Sequence, residues 1–481
     1  PPTSTAGTTY YYVVVTNTIT DNNDGGAKTA SITSSAEAVT VSAAPLSFGT
    51  PTFSGTLKAG QSIDGKLLIP YANAAGTENN NISVAVSGTD EGSISVTAIS
   101  AALSQGNGTI EIFVTGVPTT AGEVTFIISG IDELGSNNTV TTTVRGLFAG
   151  GSGTSADPWQ IDSAAGLAAI ADNLKAHYKL ISDIALNGDN WTPVGDRNKP
   201  FTGSLDGDVN TINNLKITSS TNTGEAGLFG NIGSSGAVKN LTLANVYINV
   251  ATGNANAGVV AGDNRGTITN CRVTAHVAVN SSDSANAGGV TGNNNGTIKN
   301  CYTSGDVTTT GTLSFAGGVA GYSNYGSITN CLATGNVTAS ASNTGFAAAG
   351  GVVGVNDSGS ITNCAALNRE VYATLNGEST AGRVAGYNGY TLNNNYANSS
   401  MKVNGDTVSS SDNDTANGIN GKGVALGDVM QEEWWNDNSA GFWRDVWGNT
   451  DAAPWQWGGA SYPLPTLPGR RPLSQTHFPW T

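Results

Sequence analysis

The sequence predicts an all-β chain, with short antiparallel strands in its first third and a right-handed parallel β-helix after them. Apolar residues alternate with polar ones in short runs as far as Arg145, which is the period of half-buried strands. A short motif, "GTITNC" at Cys271 and "GSITNC" at Cys331, then returns about every 30 residues. Only one stretch, "SAAGLAAIADNL", has convincing helical spacing. The composition agrees: 64 glycines and 11% charged residues suit strands and turns, and 38% hydrophobic residues among the 481 can still bury a core.

The same composition excludes several functions. A formal charge of −15 lacks the clustered Lys and Arg that phosphate neutralisation requires, so nucleic acid is not a partner. No run approaches the length of apolar sequence that spans a bilayer, so no membrane span is expected in this chain. The first residues, "PPTSTAGTTYYYVVV", do not read as a signal peptide, and a signal sequence is expected upstream if the protein is exported.

Residues 1–44 hold two strand-like runs, Thr8 to Asn17 and Ala36 to Val41, separated by "DNNDGGAK". Two strands are marginal alone, so they call for partners. "AGTTYYYVVVTN" resembles the penultimate strand of a bacterial immunoglobulin-like domain, which implies that 1–44 are the last strands of a partial domain. Strand addition to another copy is the alternative partner. Residues 45–146 alternate strictly, as in Ile82, Val84 and Val86, then Ile110, Ile112 and Val114, then Val124, Phe126 and Ile128. This pattern reads as an immunoglobulin-like β-sandwich without the core cysteines and tryptophan of antibody domains.

Residues 151–417 are read as the solenoid. Its N-terminal helix would be capped by Ser163 and carry Leu167, Ile170 and Leu174 on one face, closing one end. The repeat aligns Ile212, Val238, Ile268, Ile298, Ile328, Ile361 and Leu392, at steps of 26, 30, 30, 30, 33 and 31 residues. Each unit offers three strand-like pieces and no helix, which describes one coil of a β-helix.

Ile328 and Cys331 are three apart, so both face inward only if the chain bends between them. Asn330 tolerates the left-handed conformation such a corner needs, and its amide can bond to the next coil. Asn214, Asn240, Asn270, Asn300, Asn330, Asn363 and Asn394 are therefore expected to form a ladder. Cys271, Cys301, Cys331 and Cys364 should stack inside it as buried free thiols, with Leu215 and Leu241 in the same column. Parallel neighbours hold their Cβ atoms too far apart for an easy disulfide.

Residues 418–481 form a tryptophan-rich cap and tail, with Trp434, Trp435, Trp443, Trp447, Trp455 and Trp457 close together. These rings either stack on sugars or plug the open end of the solenoid, and solenoids need their ends covered. Asp206 and Asp208 in "LDGDVN" begin either a calcium loop or a turn, and Asp with Gly usually marks a turn. Asp263, Asp306 and Asp357 share no column with one another or with a basic residue. No catalytic, cofactor or metal set is readable. The paired outward threonines, such as Thr267 and Thr269, resemble ice-binding faces, but Lys299 breaks the array.

"AGLFG" at 226–230, "AGVVAGDNRGTITNC" at 257–271 and "AGGVTGNNNGTIKNC" at 287–301 resemble the GLUG repeat of bacterial surface proteins. The resemblance implies a large extracellular protein, often an adhesin that meets host or environmental glycan or protein, and sometimes an immunoglobulin-cleaving protease. Such a metalloprotease would need His-Glu-x-x-His, and His177, His276 and His477 stand in no such setting. The expectation is a non-catalytic cell-surface protein whose β-helix sits on immunoglobulin-like spacers. The alternative is a polysaccharide-binding or polysaccharide-degrading β-helix.

Overall fold

The computed structural model describes residues 7–19, 28–218, 224–374, 378–409 and 415–436, with 456–457 and 465–466. The chain divides into two compact units, Pro1–Gly146 and Leu147–Thr481.

In the first unit the two N-terminal runs pair with each other. Gly7–Tyr11 is antiparallel to Glu37–Val41, and Val14–Ile19 is antiparallel to Lys28–Thr33. Cross-strand hydroxyl pairs reinforce the hairpin, Thr8 with Thr40 at 2.9 Å and Thr16 with Ser31 at 2.8 Å. Its large side chains stay in solvent, with Tyr10 66% and Ile32 73% exposed.

Residues 47–145 build a nine-stranded mixed sheet that curls on itself, where two antiparallel sheets were expected. Thr52–Lys58 makes the difference. Its first part runs antiparallel to Asp64–Ala74, and Leu57 and Lys58 then pair in parallel with Val144 and Arg145. Gly55 lies on this strand at φ +133°, where a Cβ would come within 2.6 Å of Asp64 O. Only glycine permits that approach. Inside the curl Leu67, Ile69, Ile112, Val124, Phe126 and Val144 are buried, whereas Val84 and Val86 are half-buried.

In the second unit Ser163 caps the helix, its Oγ accepting from Gly166 N–H at 3.3 Å. Ala164–Ala168 is α-helical and Ala169–Asp172 continues as a 3-10 turn. Leu167 and Ile170 are fully buried against the first coil, with Leu174 partly so.

From His177 to Val424 the chain winds through about eight turns of parallel β-solenoid. Three sheets of nine, six and seventeen strands form its faces. The nine-stranded face stacks Leu205, Val238, Ile268, Ile298, Ile328, Ile361 and Leu392 in register. This corrects the expected alignment at its first copy. Leu205, not Ile212, precedes Val238, and Ile212 pairs with Leu243 on another face. Asn214 is left-handed at φ 63°, but at a second corner, in line with Asn245 at φ 54°. "TINN" imitates the motif because both corners demand the same backbone. Leu215 accordingly leaves the cysteine column, which Leu241 does join: Arg272 N–H donates to Leu241 O at 2.9 Å.

Candidate functional site

The corner predicted from Asn330 exists at every described copy. Asn240, Asn270, Asn300, Asn330, Asn363 and Asn394 have φ between 52° and 54°. Each amide from Asn270 onward donates to the Asn one coil earlier, at 3.1 Å for Asn330 to Asn300 and 2.8 Å for Asn394 to Asn363. Asp206 starts the ladder by accepting from Asn240 at 3.0 Å. A second ladder, which the sequence reading missed, joins Asn264 to Asn294 at 2.9 Å and Asn356 to Asn388 at 2.6 Å.

Cys271, Cys301, Cys331 and Cys364 form no disulfide and are fully buried. Each thiol donates weakly to the carbonyl two residues earlier, as Cys331 does to Thr329 O at 3.3 Å. Burial, and then the adjacent thiols, push the Cys331 pKa well up, away from thiolate chemistry.

The cysteine column belongs to the core, and a second pair of columns lies outside it. Each coil makes a re-entrant bend there. The end of Thr242–Gly258 returns along the core, turns through Val259 and Val260, and continues as Ala261–Asn264. Ala255 and Ala257 point into the core, so Asn256 between them points out. Its register neighbours form one column: Glu225, Asn256, Asn286, Phe315 and Ala348. On the continuing strand Asn231, Asp263, Asn293, Tyr322, Val355 and Tyr387 form the other.

The two columns meet. Phe315 stacks on Tyr322 at 5.9 Å and 22°, and Phe315, Ala348 and Val355 form an apolar cluster separate from the solenoid core. Glycine permits the closeness: a Cβ on Gly292 would come within 2.4 Å of Ala257 N. The result is a seam of packed side chains that runs from coil to coil.

Its first half is polar and buried. Glu225 and Asp263 are each 1% exposed. Arg197 Nε lies 3.3 Å from Glu225 Oε1, and Arg265 Nε lies 3.7 Å from Asp263 Oδ1. Burial, and then the Asp263 charge, raise the Glu225 pKa despite Arg197. Asn286 Nδ2 donates to Asn256 Oδ1 at 2.7 Å, and Asn293 Nδ2 donates to Asp263 Oδ2 at 3.3 Å. Asp263 Oδ1, Asn286 Oδ1 and Asn293 Oδ1 are buried and accept no hydrogen bond. The second half is aromatic. Phe346 meets Phe315 at 5.9 Å and Tyr387 at 6.3 Å, both edge-on. Tyr322 Oη donates to Asp357 Oδ2 at 3.1 Å, and burial together with that carboxylate pushes the Tyr322 pKa up to about 12.

The other singled-out residues lie elsewhere. Asp206 and Asp208 form a turn, with Asp208 N–H donating to Asp206 Oδ1 at 2.9 Å, and they pair with Lys239 at 3.2 Å and Lys179 at 3.0 Å. Asp306 accepts from Asn336 N–H at 3.1 Å. Trp435 is fully buried and Trp434 packs edge-on against Tyr396 of a late coil at 5.5 Å. Trp443, Trp447 and Trp455 lie outside the described residues. Among the described residues no group of three or more His, Cys, Asp or Glu is placed to hold a metal. No helix among them is long and apolar enough to cross a membrane.

Comparison with known proteins places the GLUG motif at residues 347–372. The chain is 37% identical over 146 residues to halomucin of Haloquadratum walsbyi, covering 27% of this chain and 2% of that protein. It is 37% identical over 135 residues to a chain of Evansella cellulosilytica described as a Gly-rich membrane protein, covering 26% of this chain and 16% of that one. The chain thus carries a GLUG motif within a parallel β-solenoid and spans only a small part of the length of these relatives.

Proposed function

We propose that this chain is a non-catalytic structural and adhesive stretch of a large extracellular, cell-surface protein. The observation that carries the reading is the unbroken register of the nine-stranded face, in which the same residue types recur coil after coil. Such stacking makes a stiff rod that presents repeated faces. Relatives of which the chain covers 2% and 16% support a segment of a longer assembly. In this reading the solenoid has the right-handed sense usual for parallel crossovers, and the curled sheet is an immunoglobulin-like spacer. The exposed hairpin around Tyr10 and Ile32 supports self-association by strand addition to a second copy.

Two measurements test this. The purified chain, offered polysaccharides and immunoglobulins, should turn none of them over. Turnover abolished by a single Asp→Asn change would sink the reading. Light scattering on the full chain should show higher mass at high concentration, and loss of that mass without residues 1–44. A monomer in both cases removes the filament role and leaves a simple spacer.

A further inference from the structure

We propose that the corner loops of three late coils form a surface site for an arginine side chain of a protein partner, built from Tyr325, Asp357 and Tyr390. This goes beyond the structural and adhesive role, and its failure would leave that role standing.

The fold sets the three residues in a row. The corner lies between the six-stranded and nine-stranded faces, where Ala320–Ser323, Val353–Asn356 and Ala385–Asn388 end on successive coils. Asp357 N–H donates to Ser323 O at 2.9 Å, and Gly389 N–H donates to Asn356 O at 2.8 Å, so the loops after these strands stack in order. Asp357 therefore stands on the coil between those of Tyr325 and Tyr390. Successive coils are ~4.8 Å apart, so a cation held at the carboxylate is one coil step from a ring on either side, inside the ~6 Å over which a ring face attracts it.

Unlike the seam, this corner is open. Asp357 is exposed, and Tyr325 and Tyr390 are 79% and 65% exposed, more than any other large apolar side chain among the described residues of the solenoid. Tyr325 is also strained, at φ 61°. Every other described non-glycine residue at positive φ is Asn, Asp or Val209, and a bulky ring is costly there. Its loop, 324–326, is one residue longer than 265–266 and 295–296 on the two coils before it, so the tyrosine arrives as an insertion. Packing does not explain a strained ring that lies in solvent, and insertions in solenoids gather on the face that binds.

Charge then selects the partner. Asp357 Oδ2 accepts from Tyr322 Oη at 3.1 Å, and the carboxylate forms no ion pair with a described residue. Between Tyr302 and Tyr396 the only Lys or Arg residues are Arg369 and Arg383. Arg383 is 1% exposed, and Arg369 adjoins Glu370–Thr374 on the seventeen-stranded face. The corner is therefore aromatic and anionic with no cation of its own, on a chain of net charge −15. Three coils earlier, the place of Asp357 is held by Arg265, whose Nε lies 3.7 Å from Asp263 Oδ1. A guanidinium from outside would supply at Asp357 what Arg265 supplies there.

Arginine suits the site better than other cations. Its planar head stacks on rings and offers a carboxylate two parallel N–H groups. A metal ion would find one carboxylate, and no group of three or more metal-binding side chains occurs among the described residues. Quaternary ammonium groups are held by aromatic cages, and two rings on an open corner do not enclose one.

The test is calorimetric titration of the full chain, at low salt, with a glycine-rich nonapeptide carrying arginine at every third position, and with its lysine and citrulline versions. The arginine peptide should bind, the lysine version more weakly, and the neutral citrulline version not measurably. Tyr325→Asn and Tyr390→Ala should each weaken the arginine peptide about two- to fivefold. Tyr325→Asn should nevertheless melt no lower than the parent, because Asn accepts the left-handed backbone. Tyr390→Phe should retain the affinity, and Asp357→Asn should remove the preference for arginine over citrulline. Glu370→Gln, an exposed acid on a different face, should change nothing. The proposal fails if citrulline binds as tightly as arginine or if binding survives the two tyrosine substitutions together. It fails equally if Glu370→Gln weakens binding as much as Asp357→Asn does, which would mean general attraction to an acidic surface. Tighter binding of tetramethylammonium than of the arginine peptide would also overturn it.

Discussion

Glu225 sits 1% exposed beside Asp263, and Arg197 offsets only part of the cost of burying its charge. Its pKa is raised above the ordinary 4.5, so the fold favours the protonated form. That contribution is fully present below the ordinary value and is lost as pH rises through the raised one. Glu225→Gln should therefore melt higher than the parent near neutral pH, and the gap should close below pH 4.5. Melting curves across about pH 4 to 8 would show it, and a gap that widens toward acid would refute the assignment. The cysteines carry a second residue-scale expectation. Thiol reagent should label almost none of Cys271, Cys301, Cys331 and Cys364 in folded protein and all four in denaturant. Cys301→Ser should cost about 1–3 kcal/mol, because a hydroxyl there replaces a thiol that packs as an apolar group.

At the scale of the element, the corner separates two contributions. Asn330 holds φ 54°, donates to Asn300 at 3.1 Å and accepts from Asn363 at 3.4 Å. An alanine at this position would lose both bonds and incur the left-handed penalty of about 1–2 kcal/mol, whereas a glycine would lose the bonds alone. Asn330→Ala should therefore destabilise more than Asn330→Gly in urea unfolding, and the reverse order would mean that the backbone strain is absent. This corner was legible in the sequence because one backbone requirement repeats at each coil and selects the same residue. Ile212 and Asn214 misled for the same reason, since a second corner imposes the same requirement. The seam was not legible. Glu225 and Asp263 lie on different strands, and only the folded coil brings their columns into contact. In the sequence Asn256, Asn286 and Asn293 look like further turn residues. The curled sheet was read correctly in its alternation, but Thr52–Lys58 changes partner midway, which alternation does not record.

For the whole molecule, the central question is how a stack of coils ends. Interior coils are held on both sides, but Lys422–Val424 pairs with Tyr396–Asn398 as the last rung of its face. Trp435 is fully buried there and its Nε1 donates to Val429 O at 2.7 Å, while Trp434 meets Tyr396 edge-on. Removing the indole should cost about 3–5 kcal/mol, as large aromatic truncations do. In a solenoid each coil draws its stability mainly from its neighbours, so this loss should stay near the end. Hydrogen exchange on Trp435→Ala should show faster exchange in Tyr396–Asn398 and Lys422–Val424, with Thr267–Thr269 and Thr297–Lys299 still protected. The uncovered strand edge should also raise scattering with concentration, because unpaired backbone groups template association. Equal loss of protection in every coil would instead mean that the solenoid unfolds as one cooperative body and that Trp435 stabilises all of it.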